Sequence, residues 1–158
     1  MAQKTKDLQR LWWDWLGTSE RLLRSLGDQT RALVARDVTA VESIQPELET
    51  MLARMRTIDD QAAASAARLA EALGTEPTLR GLMGALDGAE AQQVQAIANR
   101  VRTVARNVEE ALDRNRALIE SELTYINGTL ALIARAATER QGAFGPGGTE
   151  TVILDRVA

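Results

Sequence analysis

The sequence predicts an all-α fold: an elongated up-and-down bundle of long antiparallel helices with coiled-coil packing, one short connector helix and a flexible C-terminal tail. Aromatic residues are only 3% of the 158 residues, and a chain dominated by Ala and Leu favours helices over sheets. Apolar residues recur at steps of three and four along most of the chain, which is helical spacing. The end differs, because "GPGG" interrupts this pattern.

The first helix is predicted over about residues 7–36, where Leu and Trp residues form one apolar stripe. All the tryptophans lie here. Trp12 and Trp15 share the apolar face, so we expect them in the core. Trp13 points elsewhere, so it is either half-buried against a neighbouring helix or part of a contact surface.

The second helix is predicted over residues 38–73. Asp37 is a suitable N-cap and Gly74 a suitable C-cap. Pro46 removes one backbone donor inside this stretch, so it either kinks the helix or marks a later start. Residues 1–36 carry seven basic against four acidic side chains, and residues 37–73 carry three against seven. These opposite balances predict that the two helices pair.

A connector follows at residues 75–88, with one short helix around residues 78–86. The next helix is predicted from about Ala89 to Ala137, a stretch with no proline and one glycine. At about 1.5 Å per residue this helix is about 70 Å long. Such a length predicts a rod that other rods pack against.

The long helix carries two apolar seams of different phase. The first follows a heptad pattern and comprises Val94, Ile97, Val101, Val104, Val108 and Ala111. The phase shifts near Leu112, as in a stutter, and the second seam comprises Ile119, Leu123, Ile126, Leu130, Ile133 and Ala137. Asn115 occupies a position of the first seam. A polar residue there either sets the register of the bundle or contacts a partner.

The composition excludes several classes of function. Without Cys and His the chain lacks disulfides, the usual zinc ligands and the Ser–His or Cys–His nucleophile pairs. Adjacent carboxylates such as Asp59 and Asp60 splay apart on a helix, so we expect no enzyme, no metal and no cofactor. A net charge of −3 argues against nucleic-acid binding. No apolar run approaches the ~20 residues of a membrane span, so we expect a cytoplasmic protein without membrane insertion.

The stretch "LDRNRALIESELTYINGTLALI", followed by "AFGPGG", resembles the C-terminal region of the FlgN-like flagellar export chaperones. The matching features are an asparagine, an aliphatic pair three residues later, a further apolar stripe, and an aromatic residue that opens a glycine-rich tail. The segment "ALVARDVTAVESI" is similar to the family's first turn, with its Asp before the second helix. The resemblance covers most of the chain.

This resemblance implies a chaperone that binds the C-terminal helical segments of hook-associated proteins, prevents their premature assembly and delivers them to the export gate. The residues it implies for client binding are Asn115, Leu118, Ile119, Ile126, Leu130 and Ile133. It places docking to the export apparatus on the tail, at Phe144, where relatives typically have tyrosine, and at Val152, Ile153 and Leu154.

We therefore predict a helical domain over residues 1–141 and a flexible tail over residues 142–158. A self-associating coiled-coil structural or adaptor protein, without client delivery, is the alternative function. A homo-oligomer is compatible with both.

Overall fold

The structure, a computed structural model, describes residues 4–144 and the side chains of residues 4–140. That part of the chain forms four helices and no strand: α1 Lys6–Val34, α2 Val38–Leu73, α3 Leu79–Ala85 and α4 Gly88–Phe144. The predicted all-α class and the order of the helices are confirmed. The chain divides into two compact units, Met1–Asn115 and Arg116–Ala158. The predicted division after residue 141 stays a prediction.

Helices α1 and α2 form an antiparallel hairpin whose connection is three residues long. The end of α1 is a Schellman motif: Asp37 N–H donates to Ala32 O at 2.9 Å, and Arg36 N–H donates to Leu33 O at 3.2 Å. The Asp37 carboxylate then accepts the N–H of Ala40 at 3.1 Å. The predicted N-cap of α2 is confirmed, and one residue serves both helix ends.

Helix α2 begins at Val38 and contains Pro46, so the alternative of a later start at the proline is wrong. The missing backbone hydrogen bond is tolerated because α2 buries apolar side chains on the turns that follow, beginning with Leu48 and Met51. The helix ends at Leu73.

The C-cap of α2 is confirmed at Gly74, which adopts the left-handed conformation with φ 68°. Its N–H donates to Glu71 O at 3.2 Å, and the N–H of Thr75 donates to Ala70 O at 2.9 Å. These two bonds satisfy carbonyl groups that would otherwise be left without a partner at the helix end.

We expect Gly74→Ala to lower the free energy of unfolding by about 1–2 kcal/mol, because an L side chain disfavours this left-handed backbone. Gly17 provides the matched control. It lies within α1, and nothing lies within 4 Å of the position its Cβ would take. Gly17→Ala should raise the free energy of unfolding by about 0.5–1 kcal/mol. Urea unfolding followed by circular dichroism measures both; equal effects of the two substitutions would contradict the cap.

Helix α1 and the first part of α4 run parallel, in a register fixed by hydrogen bonds near both ends of α1. At its start, the Glu90 carboxylate accepts the backbone N–H and the hydroxyl of Thr5, at 2.9 and 2.8 Å. Near its end, Asn115 donates to Leu26 O and to Gln29 Oε1. The bonded residues are 85 positions apart at the start of α1 and 85 to 89 positions apart near its end, so one register holds along the whole of α1.

The core of the first unit combines the apolar faces of all four helices. Trp15 is buried and Trp12 packs against the core partly buried, as predicted. The first seam of α4 faces this core, with Val94, Ile97 and Val108 buried. The buried apolar residues of the other helices include Leu8, Leu11, Leu16, Leu22, Leu26, Leu48, Met51, Met55, Ile58, Ala62, Leu69, Ala70 and Leu82.

Helix α4 extends beyond its predicted limits at both ends. It begins at Gly88, one residue before Ala89, and ends at Phe144, seven residues after Ala137. No glycine or proline interrupts the sequence between Ala137 and Gly142, which accounts for the extension as far as residue 141. The helix then continues through Gly142 to Phe144.

Candidate functional site

The described part of the second unit is helical and exposes a large apolar surface. It comprises residues 116–144 of α4, and between residues 116 and 140 no side chain is buried. The exposed large apolar residues are Ile119, Leu123, Tyr125, Ile126, Leu130, Leu132 and Ile133. Residues 123–134 carry no charge. Exposed apolar surface of this extent makes this part of α4 the candidate interaction site.

The second seam predicted from the sequence lies on this surface. Its members follow one another at alternating steps of four and three from Ile119 to Ala137, so they form one line along the helix. The first seam differs in being covered: among the described residues, the hydrophobic core reaches no further along α4 than Leu112. The phase shift near Leu112 therefore coincides with the end of the core.

Asn115 lies at the end of the covered seam and is 2% exposed. Its Nδ2 donates to Leu26 O at 2.9 Å and to Gln29 Oε1 at 2.8 Å. Its Oδ1 accepts the Thr30 hydroxyl at 2.5 Å. A buried amide whose hydrogen bonds all go to one neighbouring helix fixes the position of that helix along α4. The arrangement favours the register role of Asn115.

The structure brings some of the predicted client-binding residues together and separates one. Four are exposed on the same face of α4: Ile119, Ile126, Leu130 and Ile133. Leu118 precedes them and is half-buried. Asn115 lies in the interior of the first unit, so a client reaches its amide only if α1 moves away.

Sequence reasoning missed Tyr125 and Leu132 as candidate binding residues. They are 55% and 63% exposed, and they lie seven and fourteen positions after Leu118, so all three occupy the same side of the helix. The signal was present in the sequence. Leu118 lies seven positions, or one heptad, after Ala111. Leu118, Tyr125 and Leu132 therefore keep the heptad phase of the first seam beyond the phase shift near Leu112.

The predicted residues for docking to the export gate lie at or beyond the end of the described part. Phe144 is the last residue of α4, and its side chain is not described. Val152, Ile153 and Leu154 lie outside the described residues. Their role stays a prediction.

Trp13 lies on the surface of the first unit, where it contacts a neighbouring helix. It is half exposed, and Cζ of Arg100 on α4 lies 5.6 Å from its ring centroid, which is the geometry of a cation–π interaction. One side of the indole is therefore covered by α4, which agrees with the half-buried alternative.

Burial raises the pKa of Asp59, the charge of Asp60 raises it further, and a hydrogen bond from the Trp15 side chain lowers it. Residues 4–140 contain no group of three or more acidic side chains placed to hold a metal ion. None of the described helices is long and apolar enough to cross a membrane.

Comparison with protein families matches the chain to the family described as FlgN protein, over residues 1–151. No curated protein and no solved structure matches the chain. The matched range includes the covered seam, Asn115 and the whole exposed face of α4. The family supports a role as a flagellar export chaperone in general. With a match over nearly its entire length, the chain belongs to the FlgN family.

Proposed function

We propose that this chain is a cytoplasmic chaperone of flagellar export that binds hook-associated proteins, prevents their premature assembly and delivers them to the export gate. The observation that carries this proposal is the exposed second seam. It extends over almost three heptads of α4, which matches the way an amphipathic helix is recognised through anchors at steps of three and four.

The chemistry of the seam fits a helical client that is prone to assemble. Its centre, residues 123–134, has no charge, so the contact is dominated by apolar burial, worth about 25 cal/mol per Å² of apolar surface. A client segment whose own apolar stripe is buried here is unavailable for polymerisation. Holding such a segment requires no catalytic group.

Light scattering after size exclusion tests the proposal with the purified full chain and a purified hook-associated protein from the same genome. We expect a stable complex of defined stoichiometry when the two are mixed. The alternative is a self-associating coiled-coil protein, which is favoured by the same heptad spacing. A large assembly of the chain alone, unchanged by the hook-associated protein, would establish the alternative instead.

Removing residues 143–158 should separate delivery from binding. The deletion takes away Phe144, Val152, Ile153 and Leu154 and leaves the whole exposed seam in place. We expect client affinity and Tm to be unchanged and secretion of the client in cells to be lost. Full secretion by the truncated chain would rule out the tail as the docking element, and a Tm several degrees lower would show that the tail packs on the chain's own helices.

A further inference from the structure

The apolar surface of α4 after Asn115 is wider than the seam that a single partner helix needs. It contains three parallel rows that repeat every seven residues. The first row is Leu118, Tyr125 and Leu132; the second is Ile119, Ile126 and Ile133; the third is Leu123, Leu130 and Ala137.

The width of this surface follows from helical geometry. Each residue advances about 100° around the helix, so Ile119 and Leu123 are about 40° apart, and the second and third rows form one narrow seam. Leu118 is about 100° from Ile119 and about 140° from Leu123. The first row therefore lies well to one side of that seam. The positions between the first and second rows hold Glu122 and Thr129.

An apolar surface of this width is typical of a helix with two neighbours. A strict coiled-coil seam uses two apolar positions in seven, whereas a bundle helix adds a third. Here the added position is the first row, about 100° from the second, so it faces a different direction from the seam. The first unit shows the arrangement within this same chain, because α4 packs against a core that also contains the α1–α2 hairpin and does so with three rows: Val101 and Val108, Val104 and Ala111, and Ala105 and Leu112.

We propose that the exposed face of α4 receives two helices of one partner side by side, as a helical hairpin, and so completes a three-helix bundle. This inference rests on the proposed function and specifies the structure that the client presents. In the sequence, the first row keeps the heptad phase of the first seam, since Leu118 lies seven positions after Ala111. When two helices belong to one chain, translational and rotational entropy is lost on binding once instead of twice.

Copies of the same chain fit this surface less well. A second copy that supplies one helix covers the second and third rows and leaves Tyr125 and Leu132 in water. Three parallel copies would cover all the rows, but they would bring three Glu122 carboxylates together, because Glu122 lies between the first and second rows. A partner of different sequence avoids this repulsion.

Titration calorimetry with the full-length chain and a purified hook-associated protein tests the proposal. It measures how a substitution in each row changes the affinity for that protein. Leu132→Asp alters the first row, Ile126→Asp the second, and Ala131→Asp, outside all three rows, is the matched control. Since Leu132 is exposed, its replacement removes little internal packing, and Leu132→Gln provides an uncharged second variant. We expect both Leu132 variants to weaken binding about tenfold or more and Ala131→Asp to bind as the wild type does.

If both Leu132 variants bind the client as the wild type does while Ile126→Asp loses binding, the two-helix proposal is overturned and the proposed function stands. If Ile126→Asp also binds the client as the wild type does, the proposed function is overturned too. Client fragments give an independent measurement: the shortest fragment with full affinity should contain two helical segments. A single-helix peptide with full affinity, or light scattering that shows three copies of the chain alone, would contradict the proposal.

Discussion

Asn115→Asp should lower the free energy of unfolding by about 3–5 kcal/mol, the range found when a buried charge loses compensation. The two side chains have nearly the same shape, so packing is preserved and the change is electrostatic. Asparagine donates two hydrogen bonds from Nδ2, to Leu26 O and Gln29 Oε1, whereas a carboxylate has nothing to donate. Leu26 O would then face another acceptor inside the core, where the cost of an unpaired charge is high.

Asn107→Asp is the control for this prediction, because Asn107 is on the same helix and exposed. It should change the free energy of unfolding by no more than about 0.5 kcal/mol. Urea unfolding at neutral pH, followed by circular dichroism, measures both variants. If Asn115→Asp is as stable as Asn107→Asp, then Asn115 does not hold α4 against α1, and its hydrogen bonds are not what sets their register.

Ile126→Asp should weaken client binding by about 2 kcal/mol or more, which is roughly a thirtyfold rise in Kd. Ile126 lies in the middle of the second seam and is exposed in the free chain. A carboxylate there is well solvated before binding, but it must lose its water when an apolar client helix covers it. The helix itself loses little, since the side chain contributes little packing to the free chain.

The control for this second prediction is Ala131→Asp, an exposed position on another side of the same helix. Both variants should keep the helical content of the wild type, and its stability to within about 1 kcal/mol, since aspartate is a weaker helix former than alanine or isoleucine. Only Ile126→Asp should lose affinity in calorimetry. If Ile126→Asp unfolds the protein, the face is part of the chain's own core, and the client-binding proposal fails.

Local sequence signals predicted the helix boundaries of the first unit well. Asp37 and Gly74 mark the two ends of α2 because capping depends on the side chain and backbone conformation of one or two residues. The end of α4 lies seven residues after the predicted Ala137, because the apolar stripe stops there while the polar residues Glu139, Arg140 and Gln141 are good helix formers that continue the helix without it. Pro46 shows the opposite case, in which burial of the rest of α2 outweighs a local breaker.

The sequence by itself determined the all-α class, the order of the helices and the two seams of α4, because the period of apolar residues is a property of the chain. Only the tertiary structure decided which seam is covered. The two seams are alike in composition, and the difference arises because the core of the described residues stops at Leu112 on α4. In the same way, the sequence placed a polar residue, Asn115, in an apolar seam and left two roles open for it. The hydrogen bonds to Leu26 and Gln29 favour the register role, and the contact with a partner stays a prediction. These bonds join residues far apart in the chain and follow only from the packing of α1 against α4.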